Sequence, residues 1–188
     1  MLIELNEKEY DVVKKVLSTI NENKVNEAEE GEVTIEKIVE DLASRTGNDP
    51  EDADVDERGG EYLITFGREE YEVFEDYDDA EARAVDMEKD LLEDMGFESG
   101  VRLSYIGKDW SDYISDDMLE DLKEEGYYDE IDFDDVKSVR KYFSADDIDW
   151  KSMAEDVVNV DGVAHTLATY DGKEIELLDG KAYAYRVN

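Results

Sequence analysis

The residues of this chain that could take part in chemistry are carboxylates, and they are most concentrated between positions 109 and 156. The stretch reads DWSDYISDDMLEDLKEEGYYDEIDFDDVKSVRKYFSADDIDWKSMAED. Carboxylates can transfer protons, bind a hard cation or present negative charge to a partner. Because acids occur in nearly every part of the chain, no single pair of them indicates catalysis. The pattern favours a function of the charged surface as a whole.

A set of acids on and beside predicted helices forms the candidate partner-binding surface, here called the acidic surface. Helix neighbours four apart have Cβ atoms roughly 5–6 Å apart, and charges repeat at about 3.4 Å along one DNA strand, or about 1.7 Å with both strands counted. Carboxylates on such helices can therefore approximate the density of phosphates, and a solvated surface without a partner is the alternative. The acidic surface comprises Asp86, Asp90, Glu93, Asp94, Asp116, Asp117, Glu120, Asp121, Glu124, Glu125, Asp129, Glu130, Asp132, Asp134, Asp135, Asp146 and Asp147.

Motifs for other chemistry are missing from the sequence. The chain has no cysteine, which excludes disulfides, thiolate catalysis and cysteine-based zinc sites. It has no GxSxG, no glycine-rich phosphate loop and no HExxH. The single histidine, His165, falls in the segment VAHTLATY, which is predicted to be a strand. We therefore expect no catalytic residue and no cofactor.

One segment has part of the pattern of a calcium loop. Asp52, Asp54 and Asp56 alternate as the first ligands of such a loop do. However, Glu57 stands where the loop needs glycine, and Leu63 stands where it needs the closing glutamate. The sequence thus favours a solvated loop without a metal ion.

The charge of the chain restricts its partners. Asp and Glu number 56 against 20 Lys and Arg, giving a formal net charge of −36, of which −34 belongs to residues 1–160. Such a charge repels nucleic acid and anionic membranes, so we expect direct binding to neither. The expected partner is a basic nucleic-acid-binding protein or complex. The sequence does not indicate an oligomeric state.

Composition and the N-terminal sequence indicate a folded protein of the cytoplasm. Hydrophobic residues make up 40% of the chain and aromatic residues 10%, more than acidic disordered chains usually contain. The first residues, MLIELNEKEY, lack the basic and apolar regions of a signal peptide. No apolar run approaches the roughly 20 residues that cross a bilayer.

Three regions are predicted along the chain. Residues 1–47 form an N-terminal helical region, with one helix over residues 6–21 and a second that begins at Thr34 and ends at Gly47. Residues 48–60 form an acidic linker or loop, because they contain the only proline, two glycines and many acids. Residues 61–188 form an acidic α+β domain that ends in a β-meander.

The first half of this domain is predicted as a β-hairpin followed by a helix. EYLITF and YEVFE are β-prone runs around the turn residues GREE, so residues 61–75 form the hairpin. Asp78 and Glu81 are placed to cap a helix that ends at Gly96, with an ion pair between Asp79 and Arg83. Its predicted core face consists of Ala80, Ala84, Met87, Leu91 and Met95.

The second half is predicted as three short helices followed by strands. Each helix follows an apolar residue, a capping side chain and acids, and the ranges are 116–125, 133–143 and 150–158. Three Asp-Gly pairs from position 161 onward predict tight turns between about three strands over residues 163–187. The predicted fold class is α+β, with several short acidic-faced helices packed on small antiparallel sheets.

Aromatic side chains are frequent in the most acidic part of the chain. The favoured interpretation is that these rings anchor short helices that have few aliphatic residues. The alternative is that some of them form an exposed contact surface. The rings are Trp110, Tyr113, Tyr127, Tyr128, Tyr142 and Trp150.

The chain resembles the acidic DNA-mimic inhibitors of phages and mobile elements, which include antirestriction and anti-CRISPR proteins. The resemblance rests on size, on the lack of cysteine, and on acidic helices such as DDAEARAVDMEKDLLEDM and SDDMLEDLKEE. IDWKSMAEDV is similar to a segment of ArdA-type antirestriction proteins, without a matching N-terminal half. The tail DGVAHTLATYDGKEIELLDGKAYAYRVN looks like the endings of phage proteins without an assigned function.

The resemblance implies a non-enzymatic inhibitor that occupies the nucleic-acid groove of a host defence enzyme of the restriction or CRISPR type. A phage-encoded protein of this kind acts in the host cytoplasm. Three alternatives stay open at this stage. They are an acidic protein adapted to high salt, an acidic adaptor for a basic protein, and a divalent-metal binder that uses residues 129–135.

Overall fold

The computed structural model describes residues 33–188, so the helix predicted over residues 6–21 lies outside the described residues. The helices are α1 (Ile35–Thr46), α2 (Tyr77–Met95), α3 (Gly100–Ile106), α4 (Asp116–Glu125), α5 (Val136–Val139), α6 (Trp150–Asp161) and α7 (Val163–Leu167). The strands are β1 (Ala53–Arg58), β2 (Glu61–Phe66), β3 (Glu69–Phe74), β4 (Glu174–Leu177) and β5 (Ala182–Arg186). This combination confirms the predicted α+β class.

The five strands form one antiparallel sheet in the order β1-β2-β3-β5-β4. The predicted hairpin of β2 and β3 is confirmed, and Gly67 with Arg68 makes its turn. The prediction of separate small sheets is wrong, because β3 pairs directly with β5 and places Phe74 opposite Tyr183. This pairing satisfies backbone groups of β3 that would otherwise lie at an open edge.

Residues 48–60, predicted as a linker or loop, contain the edge strand β1. It pairs with β2 from Ala53 opposite Phe66 to Arg58 opposite Glu61, and Gly59 and Gly60 make the turn with φ of 64° and 110°. Pairing with a neighbouring strand overrode the turn-like composition, as tertiary context commonly does for strands. Charged side chains along β1 are typical of an edge strand that avoids pairing with another chain.

The two faces of the sheet carry separate parts of the core. Successive residues of a strand point to opposite faces, so Val73 of β3 belongs to one cluster and Phe74 to the other. Helix α1 covers the first face, where Ile38 and Leu42 are fully buried. On the second face, α2 and α7 contact the sheet, and the other helices contribute to the same apolar cluster. Helix α1 is therefore part of the same fold as the sheet.

Local signals define α1 as predicted. Thr34 is the N-cap and its hydroxyl accepts a hydrogen bond from Lys37 N at 3.5 Å. Gly47, with φ of 79°, ends the helix and donates to Ala43 O. Asp41 then fixes α1 to the sheet region, because its carboxylate accepts a hydrogen bond of 2.7 Å from Leu178 N.

Helix α2 begins two residues earlier than predicted. Its N-cap is Asp76, whose carboxylate accepts a hydrogen bond of 2.9 Å from Asp78 N, so Asp78 is inside the helix. Both aspartates suit a first turn, and the position at which β3 ends selects Asp76. The predicted pair of Asp79 and Arg83 is also wrong, because Arg83 extends to the sheet and lies 3.9 Å from both Glu61 and Glu72.

The core face of α2 is only partly as predicted. Ala80 and Ala84 are buried, whereas Leu91 is 44% exposed and Met87 and Met95 are half-buried. The other buried residues are Val85, Glu88 and Leu92. The second half of α2 turns a different side inward because it packs against α6. Glu88 can be buried on that side because Arg102 lies beside it.

The central helices differ from their predictions in length. Helix α4 matches the predicted range of 116–125. Helix α5 covers only Val136–Val139 of the predicted 133–143, because Asp135 is its N-cap and a turn precedes it. Helix α6 extends to Asp161, beyond the predicted end at 158. Helix α3 was not predicted, because GVRLSYI is short and has no capping side chain.

The C-terminal region contains two strands and a helix instead of three strands. The first Asp-Gly pair ends α6, and Gly162 has a φ of 88°. The predicted first strand is helix α7, where Val163 and Leu167 are buried four residues apart. His165 lies on the exposed side of this helix.

Candidate functional site

The acidic surface is exposed almost in full. Sixteen of its seventeen carboxylates belong to exposed residues, and only Asp147 is half-buried. They lie along α2, along α4 and on the turns that follow α4 and precede α6. The scaffold beneath them is a continuous apolar core. The acids are thus presented by a folded framework.

Helix α4 carries the densest group of acids. Ser115 caps its N-terminus, Gly126 ends it with φ of 82°, and Leu119 is buried beneath it. Its six acids, all exposed, are Asp116, Asp117, Glu120, Asp121, Glu124 and Glu125. The only basic residue of the helix is Lys123, whose ammonium lies 4.6 Å from the centre of the Tyr128 ring. Within residues 33–188, none of the six carboxylates forms a salt bridge.

Acids continue from α4 into the following turn. The 3-10 turn Tyr128–Glu130 packs against α4 and adds Asp129 and Glu130. Glu130 accepts a hydrogen bond of 3.2 Å from the Tyr142 hydroxyl. Burial and this carboxylate raise the pKa of Tyr142.

Three further acids surround the start of α5. Asp132 accepts a hydrogen bond of 3.1 Å from Asp134 N, and Asp135 accepts one of 3.0 Å from Lys137 N. These contacts hold the turn in shape, yet all three carboxylates belong to exposed residues.

The loops before α4 and α6 lie side by side. Ile114 and Ile148 form an antiparallel bridge, and Asp149 N donates to Tyr113 O at 2.8 Å. A shallow groove of about 310 Å³ between the loops is lined by carboxylates from both. The acids in this groove are Asp112, Asp146, Asp147 and Asp149. The structure thus brings Asp146 and Asp147 next to the N-terminus of α4.

Asp147 has a structural role that the sequence interpretation did not give it. Its Oδ2 accepts hydrogen bonds from Ser144 N at 2.7 Å and from Ser144 Oγ at 2.8 Å. These donors, the backbone one first, hold the pKa of Asp147 below its ordinary value of 3.8. The carboxylate fixes the turn before α6.

The acids of α2 form a second group. Asp86, Asp90, Glu93 and Asp94 are exposed, and Glu93 lies 2.9 Å from Lys89. Asp86 lines a groove of about 350 Å³ between α2 and α6, together with Asp78, Glu81 and Glu155. Lys151 is the basic residue of this groove, and it lies 3.9 Å from Glu155.

A buried ion cluster between α2, α3 and α6 was missed at the sequence level. Arg102 lies 3.6 Å from Glu88 and 3.5 Å from Asp161, and the side chains of both acids are at most 10% exposed. The Glu88 Oε1 atom accepts no hydrogen bond from the part of the chain that is described. The signal was the position of Glu88, four residues after Ala84 and four before Leu92 on the buried stripe.

The aromatic residues divide between the two interpretations. Trp110, Tyr113 and Trp150 are buried, which confirms the anchoring interpretation for them. The Tyr113 hydroxyl donates to Asp156 Oδ2 at 2.8 Å, and burial followed by this hydrogen bond raises its pKa. Tyr128 and Tyr142 are half-buried, while Tyr127 is 46% exposed.

Residues 33–188 contain no group of three or more His, Asp or Glu side chains arranged to hold a metal ion. Asp52 ends a 3-10 turn, and Asp54 and Asp56 lie on the extended strand β1. An extended strand does not wrap around a cation as a calcium loop does. In the same range, no helix has the length and apolar character needed to span a membrane.

A scan against protein-family models finds no match to this chain, and searches of the curated proteins and of the solved structures find none either. The resemblance to antirestriction and anti-CRISPR inhibitors stays a prediction.

Proposed function

We propose that this protein is a non-enzymatic DNA mimic that inhibits a host DNA-binding defence enzyme, of the restriction or CRISPR type, by occupying its nucleic-acid groove. The observation that supports this most is helix α4, where six exposed carboxylates have no salt-bridge partner among residues 33–188. The helix keeps nearly its full negative charge for a partner.

The spacing of these charges is compatible with DNA. A helix of 10 residues is about 15 Å long at about 1.5 Å per residue. Duplex DNA of that length carries about nine phosphates, and a single strand about four. The six carboxylates of α4 fall between these two densities. A groove lined by Lys and Arg for phosphates would therefore meet a similar charge on this helix.

The mechanism follows from counterion exchange. A DNA-binding groove carries mobile anions when it is empty, and binding a polyanion releases them. The carboxylates of the acidic surface can release these anions in the same way, because the fold already exposes the carboxylates to solvent. Repulsion between neighbouring acids, which opposes folding, would then be relieved in the complex. Many weak contacts share the binding free energy, and no single acid dominates it.

The experiment is affinity purification from a bacterial lysate with the tagged protein, followed by elution with a salt gradient. We expect one nuclease, helicase or CRISPR-type complex, and we expect duplex DNA at low salt to displace it. A mixture of basic proteins that elutes together at modest salt would contradict the proposal. A single basic protein that duplex DNA cannot displace would instead support an acidic adaptor.

A further inference from the structure

A groove with apolar side chains in its lining lies beside the acidic surface. It has a volume of about 900 Å³ and is formed by the end of α2, by α3 and by the turn that leads into α5. Its apolar lining includes the half-buried Phe97, Phe133 and Val136, and the buried Trp110 lies against Phe97. This size is at the upper end of the range of ligand sites, roughly 300–1,000 Å³. It exceeds what a single side chain would fill.

The walls of the groove are held firmly. The rings of Phe97 and Trp110 have centroids 5.1 Å apart, and Trp110 N donates to Phe133 O at 3.4 Å. A Cβ atom at Gly100 would lie 3.1 Å from the Trp110 ring, so glycine lets this ring lie against α3. The groove is therefore present before any partner arrives.

An exposed apolar side chain marks the edge of the groove. Val101 lines it and is 68% exposed, the largest fraction among the large hydrophobic residues described. Exposed apolar residues beside a concave surface are typical of protein contact sites.

The rim of the groove is acidic. Glu98, Asp109, Asp134 and Asp135 line it, against the single basic residue Lys108. The Lys108 ammonium lies 3.6 Å from Asp112 and 3.7 Å from Asp156, so its charge is already balanced by two carboxylates. An occupant should thus combine apolar side chains for the apolar lining with positive charge for the rim.

Overall charge disfavours the two occupants that the chain itself could supply. A second copy would bring another strongly acidic surface, since residues 33–188 contain 47 acids and 16 bases. Residues 1–32 contain 9 acids and 4 bases, a net charge of −5 that disfavours the segment as a whole, although residues 12–21 contain two lysines and no acid. A basic partner is attracted to the rim.

We propose that this groove docks a short basic amphipathic segment of the partner protein, with its apolar side chains on Phe97, Val101 and Phe133 and its lysine or arginine side chains on the rim. The proposal rests on the proposed function, because it assumes a basic protein partner. It adds a contact that charge alone does not provide, since DNA has no apolar side chains to place there. Affinity for the partner then depends on α3 as well as on α4.

The test uses the full chain and a designed helical peptide of about 15 residues with leucines on one face and lysines on the other. A second peptide keeps every lysine and replaces each leucine by serine. We expect the leucine peptide to bind at least about tenfold more tightly, because only it buries apolar surface. Amide chemical shifts should change in α3 and in the turn before α5. Equal affinity of the two peptides would overturn the proposal.

Variants of the protein test whether the leucine peptide binds in this groove. Val101→Ser should weaken the leucine peptide by about fivefold, and Ser104→Lys should weaken it by repulsion. The matched control Val160→Ser changes a side chain that is 54% exposed and outside the groove, and should leave the affinity unchanged. If Val101→Ser alters only self-association, the occupant is a second copy and the proposal is wrong. If the leucine peptide does not bind, but an enzyme is captured from the lysate and displaced by DNA, the docking groove is rejected and the proposed function is retained.

Discussion

The ammonium group of Lys123 lies 4.6 Å from the centre of the Tyr128 ring, so the one basic side chain of α4 contacts an aromatic ring. Contacts of this kind contribute about 0.5–1 kcal/mol at exposed sites. Within residues 33–188, Lys123 forms no salt bridge with the six acids of the helix. The six carboxylates of α4 therefore stay without a salt bridge within residues 33–188.

Neutralising acids on α4 should weaken inhibition in steps. We expect each of Glu120→Gln, Asp121→Asn, Glu124→Gln and Glu125→Gln to weaken partner binding by about two- to threefold, because each removes one exposed ionic contact. The fold should tolerate these changes, since Glu124 and Glu125 lie at the helix C-terminus, where negative charge is unfavourable. Binding of each successive combined variant to the captured enzyme is the measurement.

The matched control neutralises four exposed acids outside the acidic surface. These changes are Glu51→Gln, Asp52→Asn, Asp54→Asn and Glu57→Gln. We expect a clearly smaller loss of binding, although the net charge changes equally. If both sets of substitutions weaken binding equally, the net charge of the protein determines its affinity for the enzyme, and α4 has no special role. Complete loss through one substitution would indicate a discrete site instead.

Asp147 should matter for stability, and its neighbour Asp146 should not. Asp147→Ala removes the acceptor for Ser144 and should lower the free energy of unfolding by about 1 kcal/mol, as loss of a cap does. Asp146→Ala should change it little, because Asp146 is exposed. Urea unfolding of both variants measures the difference.

The hydrogen bonds from Ser144 to Asp147 predict that the stability of the protein depends on pH with a defined sign. The pKa of Asp147 is lowered in the folded protein, so its contribution is fully present above the unfolded value near 3.8 and is lost as the pH falls through the lower folded value. The difference in stability between wild type and Asp147→Ala should therefore shrink in acid. A difference that stays constant in acid would contradict the assigned hydrogen bonds.

The cluster of Glu88, Arg102 and Asp161 should be the most sensitive polar site of the core. Arg102→Gln leaves the buried Glu88 without a cation and should lower the free energy of unfolding by about 3 kcal/mol, the cost of a broken buried pair. Adding Glu88→Gln removes the unpaired charge and should restore a large part of the loss. A double-mutant cycle in urea measures the coupling, and additive effects would refute it.

The fold should persist at low ionic strength. Two apolar clusters cover both faces of the sheet, and this burial does not depend on screening by salt. We expect a cooperative thermal transition at about 0.01 M salt, with a midpoint that rises as salt screens the repulsion between acids. Circular dichroism during heating measures it. Unfolding at low salt would favour the interpretation as a protein adapted to high salt.

Local sequence signals predicted much of the fold. Thr34 and Gly47 delimit α1, and Ser115 and Gly126 delimit α4, because capping depends on side chains next to the helix ends. The hairpin of β2 and β3 followed from alternating residues around Gly67. Exposure of the acids was also predictable, since carboxylates without partners stay in water.

Features that depend on distant residues were not predictable. Strand β1 exists because β2 lies beside it, and α7 forms where the β-prone segment around His165 packs its Val163 and Leu167 into the core. Burial of Glu88 required Arg102 from another helix. The groove beside Trp110 joins residues 95–110 to residues 133–136, and no spacing in the sequence indicates it.

The most direct test of DNA mimicry is a competition experiment with the captured enzyme and a fluorescent DNA duplex. Anisotropy of the duplex is recorded while the protein is added, at several fixed duplex concentrations. The account predicts full displacement of the duplex, with a midpoint that rises in proportion to the duplex concentration, because the two ligands share one groove. A ternary complex, in which the protein binds while the anisotropy stays high, would contradict it.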